Sequence, residues 1–155
     1  MELWDTLKGV VIIQWSKLKK QVENHFCDEL KDRITLFSTW YKNGGSPSRG
    51  RAAVLLDKNE IYEANTDKWL MSEINSHNQS SCKVIERYEF HKLLEEYLSQ
   101  SIERSLLSKY ELIRGLAIID KRVGKRRLIQ MKEIESEFCK KLYQLRCDIE
   151  GIRTI

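Results

Sequence analysis

Apolar positions in this chain repeat with two periods, and the change between them divides it. Leu18, Val22, Phe26 and Leu30 recur every fourth residue behind Ser16, a good N-cap, which predicts a helix over residues 16–30 with one buried stripe. Residues 33–42 then alternate, with Ile34, Leu36, Ser38 and Trp40 against Thr35, Phe37, Thr39 and Tyr41. Their β-branched and aromatic content is that of a strand, and bulk on both sets implies that both faces are at least partly covered. Residues 51–56 are almost continuously apolar and residues 61–64 read as a shorter third strand. Between them Asp57-Lys58-Asn59-Glu60 predicts a turn with Asn59 in the left-handed conformation. Connections this short imply antiparallel neighbours, hence a meander. The wider gap at residues 43–50, with three glycines and the only proline, reads as a loop.

Residues 67–74 suit a short helix anchored by Trp69 and Leu70, and residues 75–81 a polar loop. Residues 82–87 fit either a fourth strand or the lead-in to a helix. From Tyr88 the period is helical, through Phe90, Leu93, Leu94, Tyr97 and Leu98, with a break expected at residues 99–101 because serines cap readily. A short helix then carries Ile102 and Leu106. Ser108 and Glu111 have the spacing of a capping box and open a helix whose stripe is Leu112, Leu116, Ile119 and Val123. Gly115 inside that helix costs about 1 kcal/mol against alanine, which points to close approach of another backbone. Lys121 and Arg122 are placed in its last turn, and Gly124 as the left-handed residue that ends it. One long helix is expected over residues 125–150, with Leu128, Met131, Phe138, Leu142, Leu145 and Ile149 on a narrow stripe that Glu135 interrupts. Glu137 can pair with Lys141 on its outer face, and Gly151 ends it. The fold class is therefore α+β: a small antiparallel β-meander packed with an N-terminal helix, followed by a helical C-terminal half ending in a long helix.

A chain of 155 residues suits one domain able to bury a core without staples. We read residues 15–75 as its α/β part and residues 88–151 as its helical part. Residues 1–14 stand apart as an extension. Trp4, Leu7 and the run Val10-Val11-Ile12-Ile13 fit a short helix and an edge strand, or a stretch translated ahead of a later start. That run is far shorter than the roughly 20 residues of a membrane span and has no cleavage signal after it, so the protein reads as cytoplasmic. Cys27, Cys82, Cys139 and Cys147 lack the paired spacing of zinc or redox sites and read as free, packed thiols.

The net charge of +4 is uneven. Residues 106–132 hold eight cations against Glu111 and Asp120, a balance of +6, which leaves −2 for the rest. Lys121, Arg122, Lys125, Arg126 and Arg127 crowd one helix junction, a candidate contact for an anion or a partner. Lys17, Lys19 and Lys20 form a second candidate group at the positive end of the first helix, while Asp28 and Glu29 sit at its negative end. Those lysines either converge on an anion or are screened by solvent and carboxylates.

Candidate chemistry is sparse. His25, His77 and His91 have no partner at a recognised spacing, and no metalloprotease, nucleophile-elbow or phosphate-loop pattern occurs. We assign no catalytic, cofactor-binding or metal-binding residue, and no cofactor. A helix-turn-helix reading of the basic junction fails on its spacing, and the strands carry no base-stacking motif.

Two segments resemble a family of small uncharacterised bacterial proteins. They are Trp15-Ser16-Lys17-Leu18-Lys19-Lys20 and residues 112–128, LIRGLAIIDKRVGKRRL. The likeness covers residues 15–128 and implies a bacterial, cytoplasmic origin, with no activity or site. The expected function is a non-enzymatic protein-binding module with an unknown protein partner, an acidic-faced one suiting the basic corner. Tryptophan, tyrosine and arginine are the usual interface anchors. The alternative is a nucleic-acid- or phosphate-binding protein that uses residues 121–127. A second copy of the chain, joined through the C-terminal helix, is a further candidate partner, and a membrane is not.

Overall fold

The structure, a computed structural model, describes residues 14–40, 50–65, 68–71 and 85–153. Helix α1 spans Trp15–Glu23 and is followed by a 3-10 turn at Asp28–Leu30. Leu18, Val22, Phe26 and Leu30 are all fully buried, so the expected stripe exists, but it outlasts its helix. The chain tightens after Glu23, where the His25 and Phe26 N–H groups reach back only three residues, to Val22 and Glu23. The N-cap is Gln14, without a side-chain bond, and Ser16 lies inside the helix. Shortening also changes the electrostatics. Lys20 falls in the last turn of α1, and Asp28 and Glu29 in the first turn of the next element, where the dipoles favour them.

Strands β1 (Ile34–Trp40), β2 (Gly50–Leu56) and β3 (Asn59–Asn65) form an antiparallel sheet in the order β1-β2-β3. This is the expected meander. Its inner positions are Ile34, Leu36, Ala52, Val54 and Ala64, all buried. The β2–β3 turn departs from expectation. Asp57 (φ 50°) and Lys58 (φ 72°) take the left-handed conformation, while Asn59 pairs with Leu56. A two-residue hairpin loop needs positive φ at both central residues to match the strand twist. Most of the 43–50 loop, the 75–81 loop and residues 1–13 lie outside the described residues. Of the helix expected at 67–74, residues 68–71 are described and helical. Ile85 makes a single parallel bridge to Ala64, so residues 82–87 end as a strand-like contact leading into a helix.

The helical half holds α2 (Arg87–Ser99), α3 (Ile102–Leu106), α4 (Glu111–Ile118), α5 (Lys125–Gln130) and α6 (Glu137–Glu150). The break at residues 99–101 is present, and Ser101 caps α3 by accepting the Arg104 N–H. The capping box does not form. Ser108 Oγ takes the Tyr110 N–H, and the Glu111 carboxylate accepts the Ser136 hydroxyl. Helix α4 stops at Ile118, so Lys121 and Arg122 lie beyond it in a turn. Gly124 is extended (φ −85°, ψ 166°) and caps α5 rather than ending α4. The expected long helix is two helices. Glu133 is left-handed (φ 60°), and Ser136 caps α6 by accepting the Cys139 N–H, so the chain turns between them. Glu137 pairs with Lys140, at 3.4 Å, instead of Lys141. Gly151 ends α6 at φ 70°, with Ile152 N–H on Cys147 O and Gly151 N–H on Asp148 O, the two bonds of a Schellman motif.

The turn lets α6 fold back on α4. Phe138, Cys139, Leu142 and Cys147 are buried, so this narrow stripe packs on its own domain. Gly115 permits this contact. A Cβ there would lie 2.4 Å from Phe138 Cε2 and 3.1 Å from Leu142 Cδ1. The close approach is therefore to a ring rather than to a backbone. One hydrophobic cluster joins Leu18, Leu36, Val54, Leu94, Leu116 and Leu142, and so all the major elements.

Candidate interaction surface at the basic corner

The corner that follows α4 is held from three sides. Its backbone pairs with the chain beyond α1: Cys27 N–H donates to Ile119 O at 2.9 Å, and Lys121 N–H to His25 O at 2.8 Å. From α6, Arg146, only 3% exposed, reaches under the turn. Its Nη1 donates to Ile118 O (3.2 Å) and Asp120 O (2.8 Å), its Nη2 to Val123 O (2.8 Å), and its Nε to Glu150 Oε1 (3.0 Å). A planar guanidinium can serve several carbonyls at once, and a cation suits the carbonyl end of α4.

The third anchor is Asp120, fully buried. Its Oδ1 accepts the Arg122 N–H at 2.8 Å, and its carboxylate takes the Arg122 guanidinium at 3.0 Å and 2.7 Å. The Tyr97 hydroxyl of α2 donates to Oδ2. Burial pushes this carboxyl upward, but the bonds from Arg122 and Tyr97 outweigh it and hold the group below the usual carboxylate range. Burial and the Asp120 charge together hold the Tyr97 phenol well above its ordinary value. His25, facing Tyr97 edge-on at 6.0 Å, is held below the usual imidazole value by burial first, then by Arg122.

The candidate cations now separate into three kinds. Arg122 is committed to Asp120, and Arg127 makes an exposed pair with Glu103 at 3.3 Å. Lys19 pairs with Glu23 at 3.2 Å, within a shallow surface depression also lined by Ser16, Lys20 and Asn24. Lys121, Lys125, Arg126, Lys17 and Lys20 are exposed and make no ion pair with any described residue. The end of α1 that meets the corner carries Lys20, whereas Lys17 sits at the opposite end. Lys19 and Lys20 line the same depression, and Lys17 lies three residues before Lys20 on the helix surface.

Gly124 leaves the ridge between Arg122 and Lys125 open. Its backbone suits any residue, and a Cβ there would meet nothing within 4 Å. Nothing inside the described chain requires a glycine at this position.

Sequence reasoning missed Tyr97, Asp120 and Arg146 as the corner's supports. One signal was available: Arg146 follows Phe138 and Leu142 at four-residue spacing, a cation on an apolar stripe. It also missed a polar cluster under the sheet. Arg87 Nε donates to Ser38 Oγ at 2.9 Å, Ser38 Oγ lies 2.8 Å from His91 Nε2, and Trp15 stacks on the His91 ring at 4.8 Å. Burial, aided by Arg87, lowers His91 to about 4, which keeps it neutral at ordinary pH and a weak base. Among the described residues, no group of three or more His, Cys, Asp or Glu side chains could hold a metal ion. Nor, among them, is any helix long and apolar enough to cross a membrane.

Fold and surface together define a small α+β protein: an N-terminal helix, a three-stranded antiparallel meander, and a helical half whose turn at residues 119–123 is braced by Arg146 and Asp120. The chain belongs to the SF0329 protein family, whose profile matches residues 14–147. That name assigns no activity. No curated protein and no solved structure matches the chain.

Proposed function

We propose that this chain is a non-enzymatic binding module that engages a protein partner through the corner at residues 121–127. One observation carries the reading. Lys121, Lys125 and Arg126 stand exposed and free of ion pairs with described residues; Lys121 lies on the turn that Arg146, Asp120 and the Phe26–Asp120 bridge hold in place, and Lys125 and Arg126 open the helix that follows it. A pre-ordered surface loses little entropy on binding, and unpaired cations give up no internal partner. The buried, free thiols of Cys27, Cys139 and Cys147 suit a reducing, cytoplasmic setting, and the resemblance points to a bacterial one.

The same cations support a second reading, contact with the phosphates of a nucleic acid. Two measurements separate the readings. Replacing Lys121, Lys125 and Arg126 by glutamate should remove a stoichiometric protein captured from the native host while leaving the thermal melt unchanged. A capture that yields no stoichiometric protein, or one indifferent to the substitutions, refutes the leading reading. Affinity for mixed RNA and DNA that falls steeply with salt would establish the second; no binding at low salt would eliminate it.

A further inference from the structure

The outward face of α5 is not purely basic. Leu128 is its buried residue, and its carbonyl accepts the Tyr143 hydroxyl at 2.7 Å, which fixes the side of the helix that faces inward. At 100° per residue, Lys125, Ile129 and Arg126 follow at about 60°, 100° and 160° around the axis from Leu128. Arg127 lies on the opposite flank, about 100° the other way, where it meets Glu103. Ile129 is 56% exposed, a large apolar side chain held in water between two cations that have no carboxylate partner among the described residues.

We propose that this face docks an acidic segment of a protein partner in which one apolar side chain is flanked by carboxylates. The apolar group covers Ile129, and the carboxylates meet Lys125 and Arg126. The inference rests on the protein-binding reading above and specifies its partner. Charge complementarity selects the occupant. Phosphates would gain nothing from Ile129. A second copy would set the same +6 segment against itself. An acidic segment with an apolar anchor uses all three side chains.

The test uses three labelled probes in fluorescence anisotropy: a synthetic 12-residue glutamate-rich peptide with one central leucine, the same peptide with serine for leucine, and a mixed-sequence RNA 12-mer. The leucine peptide should bind about tenfold more tightly than the serine peptide, as burial of one aliphatic group implies. Ile129→Ser should abolish that difference and Ile129→Val largely keep it. Ile129 is exposed, so neither change should alter the melt. Equal binding of both peptides, unchanged by Ile129→Ser but lost in Lys125→Glu/Arg126→Glu, overturns this inference and leaves the protein-binding reading standing. Failure of both peptides to bind, with the captured host protein also indifferent to charge reversal, overturns the two together. Tighter, steeply salt-dependent binding of the RNA overturns the acidic segment in favour of nucleic acid.

Discussion

Replacing Arg146 by methionine removes the brace beneath the corner while keeping most of the side-chain volume. Three carbonyls lose a charged donor, those of Ile118, Asp120 and Val123. Asp120 O keeps the Val123 N–H at 3.1 Å, so the heavier loss falls on the other two. A buried acceptor left unsatisfied costs about 1–3 kcal/mol, and two of them give about 2–6 kcal/mol. Loss of one member of a buried charged network costs about 3–5 kcal/mol, in agreement. Glu150, partly exposed, turns to water and adds little. At about 2–4 °C per kcal/mol for a chain of this size, the melting temperature should fall by about 6–20 °C. Urea unfolding followed by circular dichroism gives the free energy directly, provided the slope stays unchanged. Hydrogen exchange supplies the local readout. The Lys121 and Cys27 amides bond to His25 O and Ile119 O across the corner, and both should exchange faster. Arg146→Lys should recover part of the loss, since an ammonium keeps the charge but not the planar fork. A loss below about 1 kcal/mol, with both amides still protected, would refute the claim that Arg146 holds the binding surface in place.

Other outcomes follow from the same geometry. Gly115→Ala should destabilise by about 1–2 kcal/mol, because the ring of Phe138, packed on Tyr62 at 4.9 Å, has to yield. Gly124→Ala should change the unfolding free energy measured in urea by less than about 1 kcal/mol, because the gain from a stiffer unfolded chain is offset by alanine's poorer N-cap. His91 is lowered to about 4, below its unfolded value, so the unfolded state binds the extra proton. Its contribution is complete above about pH 6.5, declines as pH falls and levels off near 4, a total of about 3 kcal/mol. His91→Gln should flatten the urea midpoint across that window, and an unchanged slope would show the titration to lie elsewhere. Tyr97→Phe removes a hydroxyl from a buried carboxylate that Arg122 still satisfies, and should cost about 1–2 kcal/mol at pH 7 by urea titration.

Much of this architecture is local and so could be read along the chain. The spacing of Leu18, Val22, Phe26 and Leu30 reports which side chains face inward, whatever the hydrogen-bond pattern. All four are buried although α1 ends at Glu23. Alternation at Ile34–Trp40 and short connections were enough for an antiparallel meander, because side chains on a strand have period two. Gly151 ended α6 as expected, in the left-handed conformation, whereas Gly124 is extended because α4 has already stopped at Ile118.

Polar groups behaved otherwise, because their partners are chosen in three dimensions. Ser108 and Glu111 have the spacing of a capping box, yet Glu111 meets Ser136 from another helix and Ser108 serves the Tyr110 N–H. The apolar stripe through residues 125–150 is interrupted only at Glu135, and one polar residue does not by itself end a helix. The chain turns at Glu133 because Phe138 and Leu142 must reach Gly115 on α4. The same division runs through the candidate surface. Its charge is written in residues 121–127, a property of composition alone. Which cations are spent and which are free was decided by Asp120, Glu103 and Glu23, and the corner's rigidity by Tyr97 and Arg146, more than twenty residues away. Hydrophobic faces need only a period, whereas a hydrogen bond needs two particular atoms within about 3 Å of each other, a condition that only the folded chain can meet.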